Sequence, residues 1–490
     1  MQVSKKTIDA IRSKVSVPRA AVFDLPEKVL QFGTGVFIRG LIDYFIDKAN
    51  NAGIFNGRVV MVKSTDAGNI RDFVEQDCLY TLLMKSVDDG LEIDEKVICA
   101  AVSRVLDAKK EWGRVLACAA NPELKIIISN TTETGIVMVQ DDKVDADPPA
   151  SFPGKLLAFL LQRFYAFGGS KESGMVVLPT ELIPGNGTLL KQIVNDLAHR
   201  NKLPLAFIEW LNNANEFCNT LVDRIVPGKL PAAEQKQMEA ELGYTDKGMI
   251  MAESFGLWAI ETNSPRTREL LSFSRAHDGI HVVDDISKFR ELKLRLLNGS
   301  HNLSCALGYL SGFETVKEAM ADEGFNRWIE GLILDEIAGA IVGTAGIAPE
   351  DARAFGSSVL SRYRNPFISF KWLDICVEDT SKLRIRAVPV VLQYYRKYGE
   401  AGERIAMGFA AYILFMRGGQ EYAIVDEQAG LLQEKWERYA GGHELVKSVL
   451  EDERLWGVDL YALEGFGKKV WGYLELLMAG ESLLLSDVKK

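Results

Sequence analysis

An apolar run, Val29-Leu30-Gln31-Phe32, passes directly into Gly33-Thr34-Gly35 and then into Val36-Phe37-Ile38-Arg39-Gly40. Strand, glycine turn and helix in immediate succession constrain this chain more than any other feature. Gly33 permits a tight turn, and Gly35 lets the backbone approach a pyrophosphate at the N-terminus of the following helix. Ile38 stands where the full dinucleotide fingerprint has a third glycine. Around the turn, short β-branched runs at 28–32, 58–63, 125–129 and 175–179 alternate with helical spacing such as 37–50. That alternation is the mark of a mainly parallel sheet. A further strand at 279–283 ends in Asp284-Asp285, and the character then changes to long amphipathic helices at 317–341, 351–362, 389–398, 404–417 and 428–439. The expected fold class is therefore α/β, a Rossmann-like N-terminal domain over 1–285 followed by a mainly α-helical domain over 286–490. At 490 residues the chain is too long for one ordinary core.

Bulk charge narrows the function classes. With 57 basic residues against 67 acidic ones the net charge is −10, which disfavours nucleic acid and anionic membranes as general partners. The six cysteines show no C-x-x-C and no ligand spacing, and only five histidines are present, so no metal site is expected. Scattered cysteines suit a reducing compartment, and neither a signal-like apolar segment nor an eighteen-residue apolar stretch occurs. The expected location is the cytoplasm. No oligomer interface is readable.

Two places carry candidate chemistry of their own. Ser129-Asn130-Thr131-Thr132-Glu133-Thr134-Gly135 follows a buried run, at the end where α/β sheets meet ligands. Its small polar side chains suit a nicotinamide ribose and carboxamide, or else cap the next helix. The second strand ends in Lys63, with Asp66 close behind: a cation there tolerates a 2′-phosphate, an acid suits the free ribose, and the residues leave that choice open. The second place is Lys293-x4-Asn298-x2-His301. On an α-helix, offsets of five and eight fall roughly 140° and 80° from the lysine, so all three can face one cleft. A proton donor, a dipole for the oxygen and a group to orient the donor are what reduction of a carbonyl requires. Such a lysine needs its ordinary pKa, about 10.4, lowered by burial or nearby positive charge, for which Arg295 is a candidate. The alternative is an amphipathic helix with a surface lysine.

Together with Leu221-Val-Asp223-Arg224-Ile-Val-Pro227 and Arg362-Tyr-Arg364-Asn365-Pro366, these motifs resemble those of the mannitol dehydrogenase family, the long-chain polyol and uronate dehydrogenases. The resemblance implies NAD as cofactor, held by Gly33, Thr34, Gly35, Val36, Phe37, Asn130, Thr131, Thr132 and Glu133. It implies metal-free catalysis in which Lys293 transfers the proton, Asn298 polarises the carbonyl and His301 orients. Within the family, Pro179-Thr180-Glu181-Leu182-Ile183-x-x-Asn186-Gly187 is similar to the branch acting on uronates, where polyol relatives show D-N-[LM]-x-x-N-G. The implied partner is a small sugar acid, a uronate or aldonate, contacted by Glu181, Asn186, Asp223, Arg362 and Lys382. Glu181 replaces an asparagine that helps polarise the carbonyl in polyol relatives, so either Asn186 assumes that role or Asn298 acts alone. Asp223-Arg224 also reads as a buried structural ion pair. The competing functions are a fructuronate, mannonate or polyol specificity, and a non-catalytic NAD-binding sensor.

Overall fold

Six strands pair in parallel: β1 Glu27–Phe32, β2 Arg58–Lys63, β3 Val102–Asp107, β4 Ile126–Ser129, β5 Val176–Pro179 and β6 Glu216–Phe217. Their order across the sheet is β3-β2-β1-β4-β5-β6. The chain runs from β1 outward on one side through β2 and β3, then crosses to the other side for β4. The reversal point lies between β1 and β4, and the crevice at the carboxyl ends there is where such sheets bind ligands. Every residue of β2, β4 and β5 is buried. Strands covered on both faces read as continuous apolar runs, which is why these were visible in the sequence.

The computed structural model describes residues 1–65, 70–88, 90–131, 135–419 and 421–480. Asp66 and the expected cofactor contacts Thr132 and Glu133 lie outside the described residues. Two compact units divide the chain: Met1–Lys85 with Ile93–Ile286, and Ser86–Glu92 with Ser287–Lys490. In the first, Val29, Met61, Ile126 and Val176 project to one face of the sheet, where Leu41, Ile42 and Phe45 of the helical run 36–51 meet them. Leu30, Val60, Ile127 and Val177 project to the other, against the helices Phe152–Ala166 and Asn186–Arg200. This is the expected Rossmann-type α/β arrangement. A smaller sheet joins Tyr80–Asp88, Leu91–Cys99 and Ile250–Ala252, and a third joins Thr220–Asp223, Leu257–Glu261 and Ile280–Val283.

The second unit is helical, as expected. One core gathers Leu296, Leu303, Trp328, Trp372, Phe409 and Trp456. The single helix expected over 317–341 is instead broken. Val316–Ala321 stops at Asp322, whose carboxylate accepts the Phe325 N–H at 2.8 Å and so starts Glu323–Gly331 as an N-cap. The apolar period runs across the break because both pieces bury the same face. Among the described residues no helix is long and apolar enough to cross a membrane.

Candidate functional site

The glycine turn sits at the reversal point of the sheet. Gly33 has φ of +130°, and a Cβ there would stand 2.7 Å from the Asn130 carbonyl oxygen, so both its conformation and its space require glycine. Gly35 begins the helical run 36–51, and a Cβ on it would meet no protein atom within 4 Å. It would project instead into a cavity of about 620 Å³ lined by Gly33, Thr34, Gly35, Ser64, Thr65, Asn130 and Thr131, with the Ala150–Ser151–Phe152 helix start opposite. Backbone amides at a helix start beside an open, hydroxyl-lined cavity fit a dinucleotide pyrophosphate and ribose. Val36 and Phe37 depart from expectation: they are half-buried and pack on the core of the sheet face, outside that cavity lining.

The helix widens to π geometry at Arg39–Asp43, which frees backbone carbonyls from the regular ladder. Side chains take them up. The Tyr80 hydroxyl donates to the Arg39 carbonyl at 2.7 Å, and Arg224 Nη1 donates to the Gly40 carbonyl at 2.6 Å. Arg224 also donates through Nε and Nη2 to the Glu253 carbonyl and lies 4.8 Å over the Tyr44 ring. Burial lowers its pKa to about 10. The Asp223-Arg224 segment thus gives this arginine a structural post on backbone carbonyls, with Asp223 buried beside it at the end of a strand.

Ser64, Thr65 and Ser151 line the cavity without having been singled out in the sequence. Ser151 caps Phe152–Ala166 by accepting the Gly154 N–H, and its hydroxyl and amide are held by Asp142 at 2.5 and 2.8 Å. Ser151 with Pro153 announces a helix start, but nothing local announces which loops it faces. Lys63 is neither a solvated strand end nor a lining residue. It is buried, and its ammonium lies 3.8 Å from Asp107 at the end of β3.

Three expected substrate contacts prove to be otherwise engaged. Asn186 donates through Nδ2 to the carbonyls of Pro179, Glu181 and Thr220 at 3.0–3.2 Å, and its oxygen accepts the amides of Gly187 and Thr220. An amide has two hydrogens and two lone pairs, so nothing remains for a substrate. Glu181 is buried with both carboxylate oxygens bonded to Ser129 and Thr131. Lys382, in the second unit, donates to the carbonyls of Ile375 (3.2 Å) and Val377, at the end of the helix Trp372–Cys376. A cation there complements unsatisfied carbonyls and the helix dipole.

The second unit carries the expected catalytic set on a backbone that periodicity did not foresee. Lys293–Gly299 is a π-helical segment between the α-helices Ser287–Leu292 and Ser300–Leu310. Its hydrogen-bond period is i→i+5. Positions five apart then lie nearly one above the other, as i and i+4 do in an α-helix, so Lys293 and Asn298 share a face more closely than the expected 140° allows. The Asn298 side-chain oxygen is buried with no hydrogen-bond partner among the described residues.

Ser300 seals the widened turn. Its hydroxyl donates toward the Leu296 carbonyl at 2.6 Å and lies 2.8 Å from the Tyr363 hydroxyl. With the serine proton on a carbonyl, Tyr363 must donate. The Tyr363 ring also stacks on His301, centroids 4.2 Å apart, which places the helix Pro349–Tyr363 and its buried Arg362 near the Lys293–Gly299 segment. Arg364 points elsewhere, to Asn326 and Glu330 on the surface. Arg295 is not a free cation beside Lys293: Glu291 neutralises it at 2.9 Å, and its Nη1 donates to the Ile385 and Arg386 carbonyls.

Comparison with known proteins agrees with this architecture. Residues 27–272 match the model of the mannitol dehydrogenase Rossmann domain, and residues 285–477 that of the mannitol dehydrogenase C-terminal domain. An altronate oxidoreductase of Halalkalibacterium halodurans is 38% identical over 458 residues, covering 89% of this chain and 88% of its own. One from Bacillus subtilis is 37% identical over 454 residues, 92% of each. Among solved structures, Pseudomonas fluorescens mannitol 2-dehydrogenase, determined as a ternary complex with NAD and D-mannitol, aligns with a TM-score of 0.69 at 22% identity, over 98% of this chain and 97% of its own. That last likeness is one of fold.

Proposed function

The chain belongs to the mannitol dehydrogenase family, and from that premise we propose that it is an NAD-dependent oxidoreductase interconverting D-altronate and D-tagaturonate in the cytoplasm. The observation that carries the chemistry is the widened turn Lys293–Gly299, whose i→i+5 period brings the lysine and the asparagine toward one face. The substrate reading is supported by the altronate oxidoreductases that match about nine tenths of the chain at 37–38% identity. Six buried free thiols suit a reducing compartment.

Gly33, Thr34, Gly35, Asn130 and Thr131 would hold the dinucleotide, with the pyrophosphate on the amides at the start of the run 36–51. Bound NAD supplies the hydride acceptor. In oxidation, Lys293 as the free amine takes the proton of the reacting hydroxyl while the hydride leaves its carbon. In reduction, the ammonium returns that proton to the ketone oxygen. Asn298 donates a hydrogen bond to the oxygen as negative charge develops there. His301, held flat against Tyr363, orients the lysine or a substrate hydroxyl. A substrate carboxylate calls for a planar two-pronged donor, and Arg362, one residue from that stack, is the choice.

The test is NAD reduction with altronate, mannonate and mannitol side by side, with Lys293→Ala as control. Altronate turnover should dominate, and the variant should lose about 10²–10⁴ in kcat while binding NADH normally. Preference for mannonate or mannitol would reject the substrate. Undiminished turnover in the variant would reject the lysine.

A further inference from the structure

One carboxyl group joins the loops that follow β4 and β5. Glu181 is 4% exposed. Its Oε1 accepts the Thr131 backbone N–H at 2.9 Å and the Thr131 hydroxyl at 2.8 Å, while Oε2 accepts the Ser129 hydroxyl at 3.0 Å. The neighbouring Thr180 completes the tie: its hydroxyl donates to the Ser129 carbonyl at 2.7 Å and accepts from Asn130 Nδ2 at 3.1 Å. Ser129, Asn130 and Thr131 are thus each fastened to residue 180 or 181. The fastening is anchored from behind, because Asn186 Nδ2 holds the Glu181 carbonyl at 3.1 Å and the Pro179 carbonyl at 3.0 Å. Asn130 and Thr131 are also the residues that form one wall of the cavity beside the glycine turn. The same wall reaches across to Gly33, whose missing Cβ leaves room for the Asn130 carbonyl.

We propose that Glu181 is a positioning residue for cofactor binding: it clamps the Asn130-Thr131 wall of the dinucleotide cavity in place, and it does not contact substrate. The inference rests on the reading that this cavity takes NAD. A carboxylate already accepting three hydrogen bonds from the neighbouring Ser129–Thr131 segment has no proton to offer a ketone oxygen. The asparagine-for-glutamate difference from polyol relatives therefore changes how the cofactor wall is built, and carbonyl polarisation falls to Asn298.

The chemistry of the clamp makes it testable by isosteric replacement. In Glu181→Gln the amide oxygen can still accept from Thr131, and the amide nitrogen can donate to the Ser129 hydroxyl, which accepts as readily as it donates. In Glu181→Ala all three bonds vanish. NADH affinity measured by fluorescence titration or calorimetry, on the full chain, separates the readings. The clamp predicts that Glu181→Ala weakens NADH binding about tenfold, equivalent to about 1.4 kcal/mol, and that Glu181→Gln stays within about twofold of wild type. Ser129→Ala, which removes the Oε2 bond at a residue outside the cavity lining, should raise the NADH Kd about threefold and serves if Glu181→Ala does not fold. Wild-type affinity in either alanine variant overturns the clamp. So does Glu181→Gln with normal NADH affinity but collapsed kcat on altronate, since only a direct role on the substrate would need the charge. If the wild-type chain itself binds no NADH, the proposed function falls first, and that result is distinct from a clamp that fails in a chain that binds.

Discussion

Lys293 and Asn298 stand five positions apart, and the backbone between them decides whether both can serve one oxygen atom. The π turn makes them neighbours, and the side chain that braces the turn from outside is Tyr363. Its hydroxyl donates to Ser300, which in turn holds the Leu296 carbonyl, and its ring supports His301. Tyr363→Phe should keep the ring stack, cost about 1 kcal/mol of stability, and lower kcat a few-fold with KM unchanged. Tyr363→Ala removes the buried ring as well and should destabilise by about 3–5 kcal/mol. Paired thermal melts and steady-state kinetics check both; a Phe variant with wild-type kcat and Tm would deny the brace. Residue identity is the legible part of the proposed site: Lys293, Asn298 and His301 are picked out by their types and spacing. Glu291, four positions before Arg295, is a partner that helix spacing allows. What spacing could not supply was the hold of Arg295 on the Ile385 carbonyl ninety residues away, or of Asn186 on Thr220.

At the scale of elements, the two glycines of the cofactor turn do different work, and substitution should separate them. Gly33→Ala forces a side chain into left-handed backbone and against the Asn130 carbonyl, so it should cost a few kcal/mol in stability, of the order seen for strained positions and overpacking. Gly35→Ala meets only open space. It should melt like wild type yet bind NADH at least tenfold more weakly, because its methyl group occupies the path of the pyrophosphate. Equal affinity in Gly35→Ala would move the dinucleotide elsewhere. The strands flanking this turn were legible because β2, β4 and β5 are buried throughout and β1 is buried from Val29 to Phe32. Leu91–Cys99 was not, since its first five residues are mostly exposed and read as a polar loop, and β3 has only a broken apolar pattern with buried ends. Helix periodicity likewise ran through Asp322, where only the capping bond reveals the break. The π segments are invisible to a period-counting argument, because a single widened turn barely disturbs the apolar stripe on either side.

Across the whole molecule, buried titratable groups set how stability depends on pH. Asp43 and Asp47 in the first unit and Asp379 in the second are pushed up to about 7, each chiefly by burial. Unfolded, such groups titrate near 3.9. Each native carboxyl therefore keeps a proton that the unfolded chain has already released, so its contribution is fully present below about pH 4 and is lost as pH rises toward 7. His277 acts in the opposite sense. Burial, with Lys48 and Arg224 adding to it, lowers the imidazole to about 4, so stability tied to it is lost as pH falls below about 6.5. The two trends oppose each other between about pH 4 and 6.5, and above that only the acids remain active. Calorimetric Tm should therefore decline from about pH 6.5 to 8 at fixed ionic strength, a range where most proteins are flat. Asp379 tests the cause. It accepts from Asn302 at 2.6 Å and from Cys305 at 3.5 Å, with Lys382 and Asp426 acting on it through charge. Asp379→Asn keeps the acceptor for Asn302 and stays neutral at every pH, so its Tm should fall less steeply across that window. A variant curve parallel to wild type would mean that Asp379 titrates in the native protein as it does in the unfolded chain. Because Asn302 directly follows His301, the same proton sits one residue from the proposed catalytic set. A steeper loss of kcat than of Tm over this window, abolished in Asp379→Asn, would tie the buried acid to the geometry of that helix as well as to its stability.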